Sequence, residues 1–383
     1  MNVEEVYKSV IERFETEGRL RCLSHPGTED LLDCTSNDYM GLGANEDLLK
    51  AFVSTIDMDP APFGSCASRL LFTGVDRYGA IEDFIGRAYG RDSLLFNSGY
   101  HANTGIIPAL CAPGETLIVA DKLVHASIID GMRLSGAPFR RFRHNDVESL
   151  KGILEKEAKD YVRVLVVVES IYSMDGDEAP LREINALKKS FPGMMLYVDE
   201  AHAFGVRGKL GLGVCDELGI RPDILIGTLG KAAASAGAFA VTSPVLKNYL
   251  VNTCRSLIFS TALPPVFVDW SLFTLGLLRN MDEEREALAA KAFDLSSFLV
   301  GLTGKGEAHT SPIIPLFAGS NERAVAMAGV MRKHGVLALP IRRPTVGAGT
   351  ERIRISLNAS MTNEEIDRIK RAAEYAIKEA GVI

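Results

Sequence analysis

Five short apolar runs, each ending in polar residues, constrain the fold of this chain more than any other feature of its sequence. The runs are LIVAD (117–121), VRVLVVVES (162–170), MMLYVDEAH (194–202), DILIGTLGK (223–231) and AFAVTS (238–243). They are rich in β-branched residues, apolar on both faces rather than alternating, and separated by helical patterns. Such runs are typical of buried strands in a largely parallel sheet that helices cover. The sequence therefore predicts an α/β fold.

Polar side chains follow four of these predicted strands at their carboxyl ends. In open α/β sheets, ligands bind beyond that edge. The polar residues there are Asp121, Glu169 with Ser170, Asp199 with His202, and Thr228 with Lys231. We expect them to converge on one crevice.

The two ends of the chain follow other patterns. Residues 2–17 place apolar side chains on one helical face, and Asn2 and Glu5 have capping-box spacing, which predicts an amphipathic helix. From about residue 275, helical patterns alternate with short apolar runs, and a final helix begins at Thr362. We therefore predict an N-terminal helix and arm at 1–45, a large α/β domain at 46–275 and a small α+β domain at 276–383.

Composition excludes several classes of function. The 383 residues carry a formal net charge of −7, so the whole-molecule field does not favour nucleic acid or an anionic membrane. The N-terminus has no signal-peptide pattern, and no transmembrane run is expected. The six cysteines lie far apart without a C-x-x-C pair, which argues against a disulfide framework or zinc ribbon. A cytoplasmic protein without a bound metal is the expectation.

Lys231 is the candidate reactive residue. It follows an apolar strand and a Thr-Leu-Gly turn, and the small residues AAASAGA come after it. A lysine amine in such surroundings can take part in Schiff-base chemistry, which needs the neutral amine. Lysines are usually solvated, so a surface residue is the alternative.

Other residues are candidates for contacts with the ring and phosphate of a molecule that this lysine would bind. Asp199 could pair with a protonated ring nitrogen, although a helix-capping Asp explains the motif D-E-A-H about as well. His202 could donate to a ring oxygen. Gly99 and Tyr100 start a helical pattern, where backbone N–H groups can cradle a phosphate. His125 could stack on a ring, or be an ordinary buried histidine.

The order of these parts resembles the fold-type I pyridoxal-phosphate enzymes and, more closely, the α-oxoamine synthases. The matching segments run through nearly the whole chain: SNDYMGL (36–42), FGSCASRLLFTG (63–74), LLFNSGYHAN (94–103), DKLVHAS (121–127), ESIYSMDGDEAPL (169–181), YVDEAHAFGVRG (197–208), GTLGK (227–231), FSTALPP (259–265) and RRPTVGAGTERIRISL (342–357). The resemblance implies a fold-type I transferase: a mostly parallel central sheet with helices on both faces and a smaller C-terminal α+β domain.

The resemblance also implies roles for single residues. Lys231 would bind pyridoxal 5'-phosphate covalently, Asp199 would pair with its ring nitrogen, and His125 would stack on the ring. The other implied cofactor contacts are those of Gly99, Tyr100, Ser170, His202 and Thr228. The catalytic set is Lys231, His125, Asp199 and His202.

Further implied contacts involve the partner and the substrates. The family acts as a homodimer with shared active sites, so Ser260 and Thr261 would reach the phosphate in the partner's site. Asn37 and Arg354 match positions near the amino-acid carboxylate. Arg19 and Thr345 match substrate-binding positions, but the loop after Arg19 is shorter than usual.

Within the family, RRFRHND (140–146) and the segment 342–357 look most like the 8-amino-7-oxononanoate synthases. That implies condensation of L-alanine with pimeloyl-CoA or a pimeloyl-[acyl-carrier protein], with loss of CO2, in biotin biosynthesis. The nearest rival is a glycine C-acetyltransferase (2-amino-3-ketobutyrate CoA ligase), and a more distant one is a fold-type I aminotransferase.

Three segments depart from the family pattern. Ala232-Ala233-Ala234 follows the lysine where glycines are usual, Ala203-Phe204 follows His202, and Cys66-Ala67 stands where Gly-Gly is typical. Each added Cβ restricts close backbone approach, so we expect an effect on substrate shape rather than on the chemistry.

Overall fold

The structure, a computed structural model, describes residues 2–21, 23, 30–56, 58, 63–72 and 76–381. Its strands are β1 (Leu32–Asp33), β2 (Asp92–Phe96), β3 (Thr116–Asp121), β4 (Phe139–Phe142), β5 (Arg163–Glu169), β6 (Met194–Asp199), β7 (Ile224–Thr228), β8 (Ala238–Thr242), β9 (Ile313–Phe317), β10 (Val336–Leu337), β11 (Leu339–Ile341) and β12 (Arg352–Ser356). The five apolar runs are thus β3 and β5–β8, and the α/β prediction is confirmed.

Helices alternate with these strands as the patterns predict. They are α1 (Val3–Thr16), α2 (Glu46–Val53), α3 (Arg77–Tyr89), α4 (Gly99–Leu110), α5 (Ala126–Ser135), α6 (Val147–Glu157), α7 (Leu181–Ala186), α8 (Val214–Glu217), α9 (Pro244–Thr253), α10 (Arg255–Ile258), α11 (Pro265–Leu278), α12 (Asp282–Thr303), α13 (Asn321–Lys333) and α14 (Asn363–Glu379). The final helix has the predicted capping box of Thr362 and Glu365.

The chain divides into two compact units. The larger unit comprises Asp38–Ser173 and Asp177–Arg285, and the smaller comprises Met1–Asn37, Met174–Gly176 and Glu286–Ile383. The domain limits drawn from the sequence at residues 45 and 275 stay a prediction.

A seven-stranded sheet forms the centre of the larger unit, in the order β2-β8-β7-β6-β5-β3-β4. Its strands are parallel except for β8, which runs antiparallel to both β2 and β7. In β3, β7 and β8 every residue is buried, and in β5 and β6 nearly every one is. Successive strand residues point to opposite faces, so both faces of the sheet are covered.

The register of the parallel strands brings their polar ends together. Glu169 at the end of β5 is the partner of Asp199 at the end of β6. Asp121 ends β3 beside Phe142 of β4. The predicted convergence of polar side chains therefore follows from strand pairing alone.

The smaller unit contains two small sheets. One is antiparallel, in the order β11-β12-β9, and the other pairs β1 with β10 in parallel. The N-terminal helix α1 belongs here and has the predicted Asn2–Glu5 capping box. None of its residues is buried, and Val3 and Tyr7 are 68% and 66% exposed. Its apolar face is therefore not covered within the described part of the chain.

The described cysteines are free thiols. Cys34, Cys111, Cys215 and Cys254 are buried and Cys66 is exposed, while Cys22 lies outside the described residues. Burial raises the pKa of Cys34 and of Cys111 to about 12, so both stay protonated at neutral pH. Within the described ranges, no helix is both long enough and apolar enough to cross a bilayer.

Candidate active site

Lys231 lies at the carboxyl edge of the central sheet, three residues after β7. Its Nζ is 2.8 Å from Nε2 of His202, and Nδ1 of His202 is 2.7 Å from the hydroxyl of Tyr39. Tyr39 is fully buried and His202 is 5% exposed. A hydrogen-bond chain from the buried Tyr39 and His202 to the partly buried Lys231 therefore fixes the position of the candidate reactive amine.

Asp199 is held by neutral donors. Its Oδ2 accepts from Nδ2 of Asn103 at 2.9 Å, and its Oδ1 accepts from the backbone N–H of Ala201 at 2.9 Å. The residue is 5% exposed. No arginine or lysine in the described residues forms an ion pair with it. A buried carboxylate with no cation of its own has a strong demand for a positively charged partner.

His125 begins α5 and is fixed through one ring nitrogen. The backbone N–H of Ser127 donates to its Nδ1 at 3.2 Å, and the hydroxyl of Ser127 lies 2.7 Å from the same atom. Because Nδ1 accepts from a backbone donor, the neutral ring carries its proton on Nε2. Ser127 also accepts from Asn103, so His125 and Asp199 belong to one hydrogen-bond chain.

Burial in the crevice shifts the pKa values of His125 and Glu169 in opposite directions. Burial lowers the pKa of His125, so its ring is neutral at neutral pH. Burial, and then the negative charge of Asp199, raise the pKa of Glu169 well above its usual value. Glu169 accepts from the backbone N–H of His125 at 2.5 Å. The crevice therefore holds His125 in a single protonation state and position.

The predicted phosphate cradle is the start of α4. Ser98 caps the helix by accepting from the N–H of His101, and Gly99 is its first residue. A Cβ built on Gly99 would have no heavy atom within 4 Å, so the space in front of this helix end is open. The first-turn N–H groups of a helix attract anions. Tyr100 is 49% exposed, and its hydroxyl donates to Asp130 at 2.7 Å.

The remaining predicted cofactor residues differ in exposure. Thr228 is 8% exposed, and its hydroxyl accepts from Gly230 N–H in the turn before Lys231. Ser170 is fully buried, its backbone is tied to Asp199 and Ala179, and its contact with a cofactor stays a prediction. Ser260 and Thr261 are partly and largely exposed, respectively, and Thr261 O accepts from Asn97 of its own chain at 2.6 Å.

The four predicted substrate residues lie in the smaller unit, and two of them, Asn37 and Arg354, contact each other. Arg354 donates to Asn37 Oδ1 at 2.9 Å and to Ser356 at 2.7 Å. Arg19 instead pairs with Glu17 at 2.6 Å and stacks over Phe14. Exposed Thr345 accepts from Arg21 at 3.0 Å. The role of all four in substrate binding stays a prediction.

Sequence reasoning missed three of the four residues that hold the candidate catalytic side chains in place. Tyr39, Asn103 and Ser127 contact His202, Asp199 and His125, respectively, and Glu169 anchors the backbone of His125. Only Glu169 carried a local signal, its position at a strand end. The other three reach the crevice through tertiary packing.

Two of the three departures from the family pattern have an unusual backbone. Cys66 has φ +51° and Ala234 has φ +49°, in the left-handed region that favours glycine. Gly205, which follows the third departure, lies close to the first, because a Cβ built on Gly205 would lie 2.6 Å from Cβ of Ala232. The chain thus accepts strain beside the lysine.

These residues fit pyridoxal phosphate on their chemistry alone. Asp199 forms no ion pair with a described lysine or arginine, Lys231 offers an amine, and the start of α4 offers N–H groups to a phosphate. A protonated pyridine nitrogen is the partner that a buried carboxylate needs. We find no group of His, Cys, Asp and Glu in the described residues that could hold a metal ion.

Comparison with known proteins places this fold and site among enzymes. Residues 29–372 match the family described as aminotransferase class I and II. An 8-amino-7-oxononanoate synthase of Chlorobaculum parvum is 44% identical over 388 residues, which cover 96% of this chain and 98% of that protein.

Two solved structures share the fold. SPT, described as carrying a PLP internal aldimine, matches with a TM-score of 0.90 and 28% identity over 100% of both chains. The 8-amino-7-oxononanoate synthase of Francisella tularensis matches with a TM-score of 0.76 and 28% identity over 92% of this chain and 98% of that one. The chain therefore belongs to the α-oxoamine synthases, within the class I and II aminotransferase family of fold-type I pyridoxal-phosphate enzymes, and is an acyltransferase most like the 8-amino-7-oxononanoate synthases.

Proposed function

We propose that this enzyme condenses L-alanine with pimeloyl-CoA or a pimeloyl-[acyl-carrier protein], giving 8-amino-7-oxononanoate, CO2 and the free thiol carrier in biotin biosynthesis. The observation that carries the proposal is the buried Asp199, which has no cationic partner in the described residues and ends the strand beside the Lys231 crevice. The 44% identity to an enzyme with this name supports the choice of substrates.

Pyridoxal phosphate supplies an electron sink that stabilises negative charge at the α-carbon of a bound amino acid. Lys231 would hold the cofactor covalently, Asp199 would keep its ring nitrogen protonated, and the start of α4 with Gly99 and Tyr100 would bind its phosphate. His202 would hold the phenolic oxygen. Thr228 lies in the turn that presents the lysine.

Lys231 would also move the proton at the α-carbon of the amino acid. The contact between its Nζ and Nε2 of His202 at 2.8 Å keeps the amine within the crevice. General bases must lie within hydrogen-bond reach of the proton that they abstract. Tyr39 keeps His202 in this orientation, since it binds the opposite ring nitrogen.

His125 would act on the acyl thioester. Its Nδ1 accepts from Ser127, so the proton on Nε2 is available to the thioester carbonyl as negative charge develops there. The lowered pKa of the ring favours this neutral donor at neutral pH.

Recognition of the amino-acid carboxylate would fall to Arg354 and Asn37, which are already hydrogen-bonded to each other. Arg19 and Thr345 would bind the acyl substrate. Glu17 engages one guanidinium nitrogen of Arg19 at 2.6 Å, so a distal carboxylate would share this guanidinium with Glu17 or displace it. Arg21 contacts Thr345 and is a second cationic candidate for that task.

The enzyme would be a cytoplasmic homodimer, with Ser260 and Thr261 acting in the partner's site. Support comes from the family resemblance of FSTALPP and from the partial exposure of both residues. Mixing Lys231→Ala with a Ser260→Ala, Thr261→Ala double variant should restore activity through heterodimers that carry one intact site. A fully active monomer in sedimentation would contradict this arrangement.

The substrates are tested by a panel of amino acids crossed with acyl thioesters, with free thiol and CO2 measured together. L-Alanine with the pimeloyl thioester should give the highest kcat/KM, with one CO2 released per thiol. A preference for glycine with acetyl-CoA would identify the C-acetyltransferase, and amino-group exchange without thiol release would identify an aminotransferase.

Asp199→Asn tests the role of the carboxylate in the same assay. Losing a charge-assisted partner should weaken cofactor binding by about 1.5–3 kcal/mol. Turnover should fall further, because the neutral amide cannot keep the ring nitrogen protonated. Wild-type turnover in Asp199→Asn would count against the proposal.

A further inference from the structure

His144 bridges two carboxylates near the edge of the central sheet. Its Nδ1 is 2.9 Å from Oδ1 of Asp121, and its Nε2 is 2.7 Å from Oδ2 of Asp177. The ring also meets Tyr172 edge-on, with centroids 4.5 Å apart and an interplanar angle of 88°. Carboxylates only accept, so both ring nitrogens must donate, and the ring is an imidazolium.

The charge on this ring is favoured by its surroundings. Burial alone would lower the pKa of His144, but the hydrogen bonds to Asp121 and Asp177 outweigh it and raise the pKa to about 9. The other charged neighbour in sequence, Arg143, pairs with Asp146 and is 75% exposed. His144 is therefore the cation that compensates Asp121, which is fully buried.

Asp121 in turn fixes the segment that leads to His125. Its Oδ1 accepts from the N–H of Leu123 at 2.7 Å, and its Oδ2 accepts from the N–H of Asn145 at 2.9 Å. The far end of the same segment is anchored by the bond between His125 N–H and Glu169. The turn 121–125 is thus held at both ends by buried carboxylates.

Asp177 ties the same histidine to a second segment. It accepts from Nδ2 of Asn145 at 2.7 Å, and its carbonyl accepts from the N–H of Tyr172 in the bridge between Ile171 and Glu178. Asn145 has φ +53°, a strained conformation that its two hydrogen bonds to these carboxylates stabilise. One imidazolium therefore joins the exits of β3, β4 and β5.

We propose that His144 is a positioning residue for His125: by clamping Asp121 to Asp177, it fixes the turn 121–125 and so the placement of the His125 ring. The inference rests on the proposed function only in assigning His125 to the thioester carbonyl. A purely structural ion pair would affect stability but leave the geometry at His125 unchanged, so the test must read that geometry.

The test compares His144→Gln, which keeps one neutral donor, with His144→Phe, which keeps the ring against Tyr172 but has no donor. His334→Phe is the matched control, because His334 also stacks on a tyrosine, Tyr375, at 4.0 Å, and lies in the smaller unit. Proton and nitrogen NMR of histidine-labelled, cofactor-free protein should show both His144 ring nitrogens protonated at pH 7.5. A neutral ring at that pH would overturn the proposal.

Hydrogen exchange measures the protection of the backbone amides around the turn 121–125 and does not depend on enzyme activity. Backbone amides of the segment 121–126 should exchange at least about tenfold faster in both His144 variants, and at the wild-type rate in His334→Phe. Unchanged exchange in folded His144→Gln would overturn the proposal. If His144→Phe fails to fold, His144→Gln alone carries the test.

Kinetic measurements then test whether a change in the turn impairs the role of His125 in the reaction. In His144→Gln, kcat should fall roughly tenfold to a hundredfold, with the KM for the amino acid changed less than about twofold. The circular dichroism of bound pyridoxal phosphate should change in parallel. If kcat and dichroism in this variant equal those of the wild type, the positioning role is wrong. If the wild-type protein condenses no substrate pair, the proposed function is wrong, but the NMR and exchange results remain valid.

Discussion

The side chains at the strand ends and those around Arg354 differ in how firmly each set is held. Asp199 and His202 are 5% exposed, and each is fixed by further buried side chains. Arg354 is partly buried, while Arg19 pairs with an exposed glutamate and Thr345 is exposed. The difference teaches that the proposed cofactor residues are fixed by buried contacts at the sheet edge, whereas the proposed substrate residues are more exposed and have fewer buried partners.

The largest expected effect is at the strand ends. Lys231→Ala should abolish the yellow colour of the purified enzyme and reduce turnover by about 10²- to 10⁴-fold, because the variant loses both the covalent contact and the base. Absorbance spectra and thiol release measure the two losses separately. An unchanged spectrum would show that another lysine holds the cofactor and would remove the basis of the comparison.

The variant His144→Gln tests how much the charges at the strand ends contribute to the free energy of unfolding. The folded pKa is raised from 6.5 to about 9, so the contribution is fully present below pH 6.5 and is lost as the pH rises through about 9. The shift corresponds to at most about 3 kcal/mol. Urea unfolding of wild type and His144→Gln should therefore differ most at pH 6 and least at pH 10. A pH-independent difference would mean that His144 is not charged in the folded state.

These strand-end residues also show what a sequence can reveal. Lys231, Asp199 and His202 follow apolar runs, so strand periodicity and the geometry of parallel sheets predicted that these residues would converge on one crevice. Asn103 and Ser127 gave no such signal, since each lies on a helix and meets its partner only after packing. The sequence also did not predict that Ser170 is fully buried, or that Glu17 lies 2.6 Å from Arg19.

Substitutions of Arg354 and Arg19 test the second set of side chains in the comparison, the proposed substrate residues. Arg354→Ala should raise the KM for the amino acid roughly tenfold to a hundredfold, which corresponds to the loss of about 1.5–3 kcal/mol that is usual for a hydrogen bond to a charged group. Arg19→Ala should raise the KM for the pimeloyl thioester less than about fivefold, or about 1 kcal/mol, because its present contact is a partly exposed ion pair. Arg354→Lys keeps the charge but not the fork and serves as the control. An unchanged KM in Arg19→Ala would exclude Arg19 from the acyl site, and a larger loss would show that its guanidinium exchanges Glu17 for the acyl carboxylate.

The smallest expected effect concerns the strained residue after the lysine. Ala234→Gly should raise the free energy of unfolding by roughly 0.5 kcal/mol, since relief of the left-handed conformation slightly exceeds the entropy lost by glycine. Ala233→Gly is the control and should destabilise by about 0.5–1 kcal/mol, because Ala233 has no such conformation. Chemical denaturation measures both. Destabilisation by Ala234→Gly would show that the methyl group packs better than its backbone suggests.

The pairing of Glu169 with Asp199 at neighbouring strand ends has a thermodynamic consequence. Folding brings two carboxyl groups together out of water, and the proposed contact between Asp199 and a protonated cofactor ring would offset this electrostatic cost. Any ligand that binds only the folded state adds RT ln(1 + [L]/Kd) to its stability. The supply of pyridoxal phosphate in the cell therefore sets both how much of this enzyme is active and how much of it stays folded.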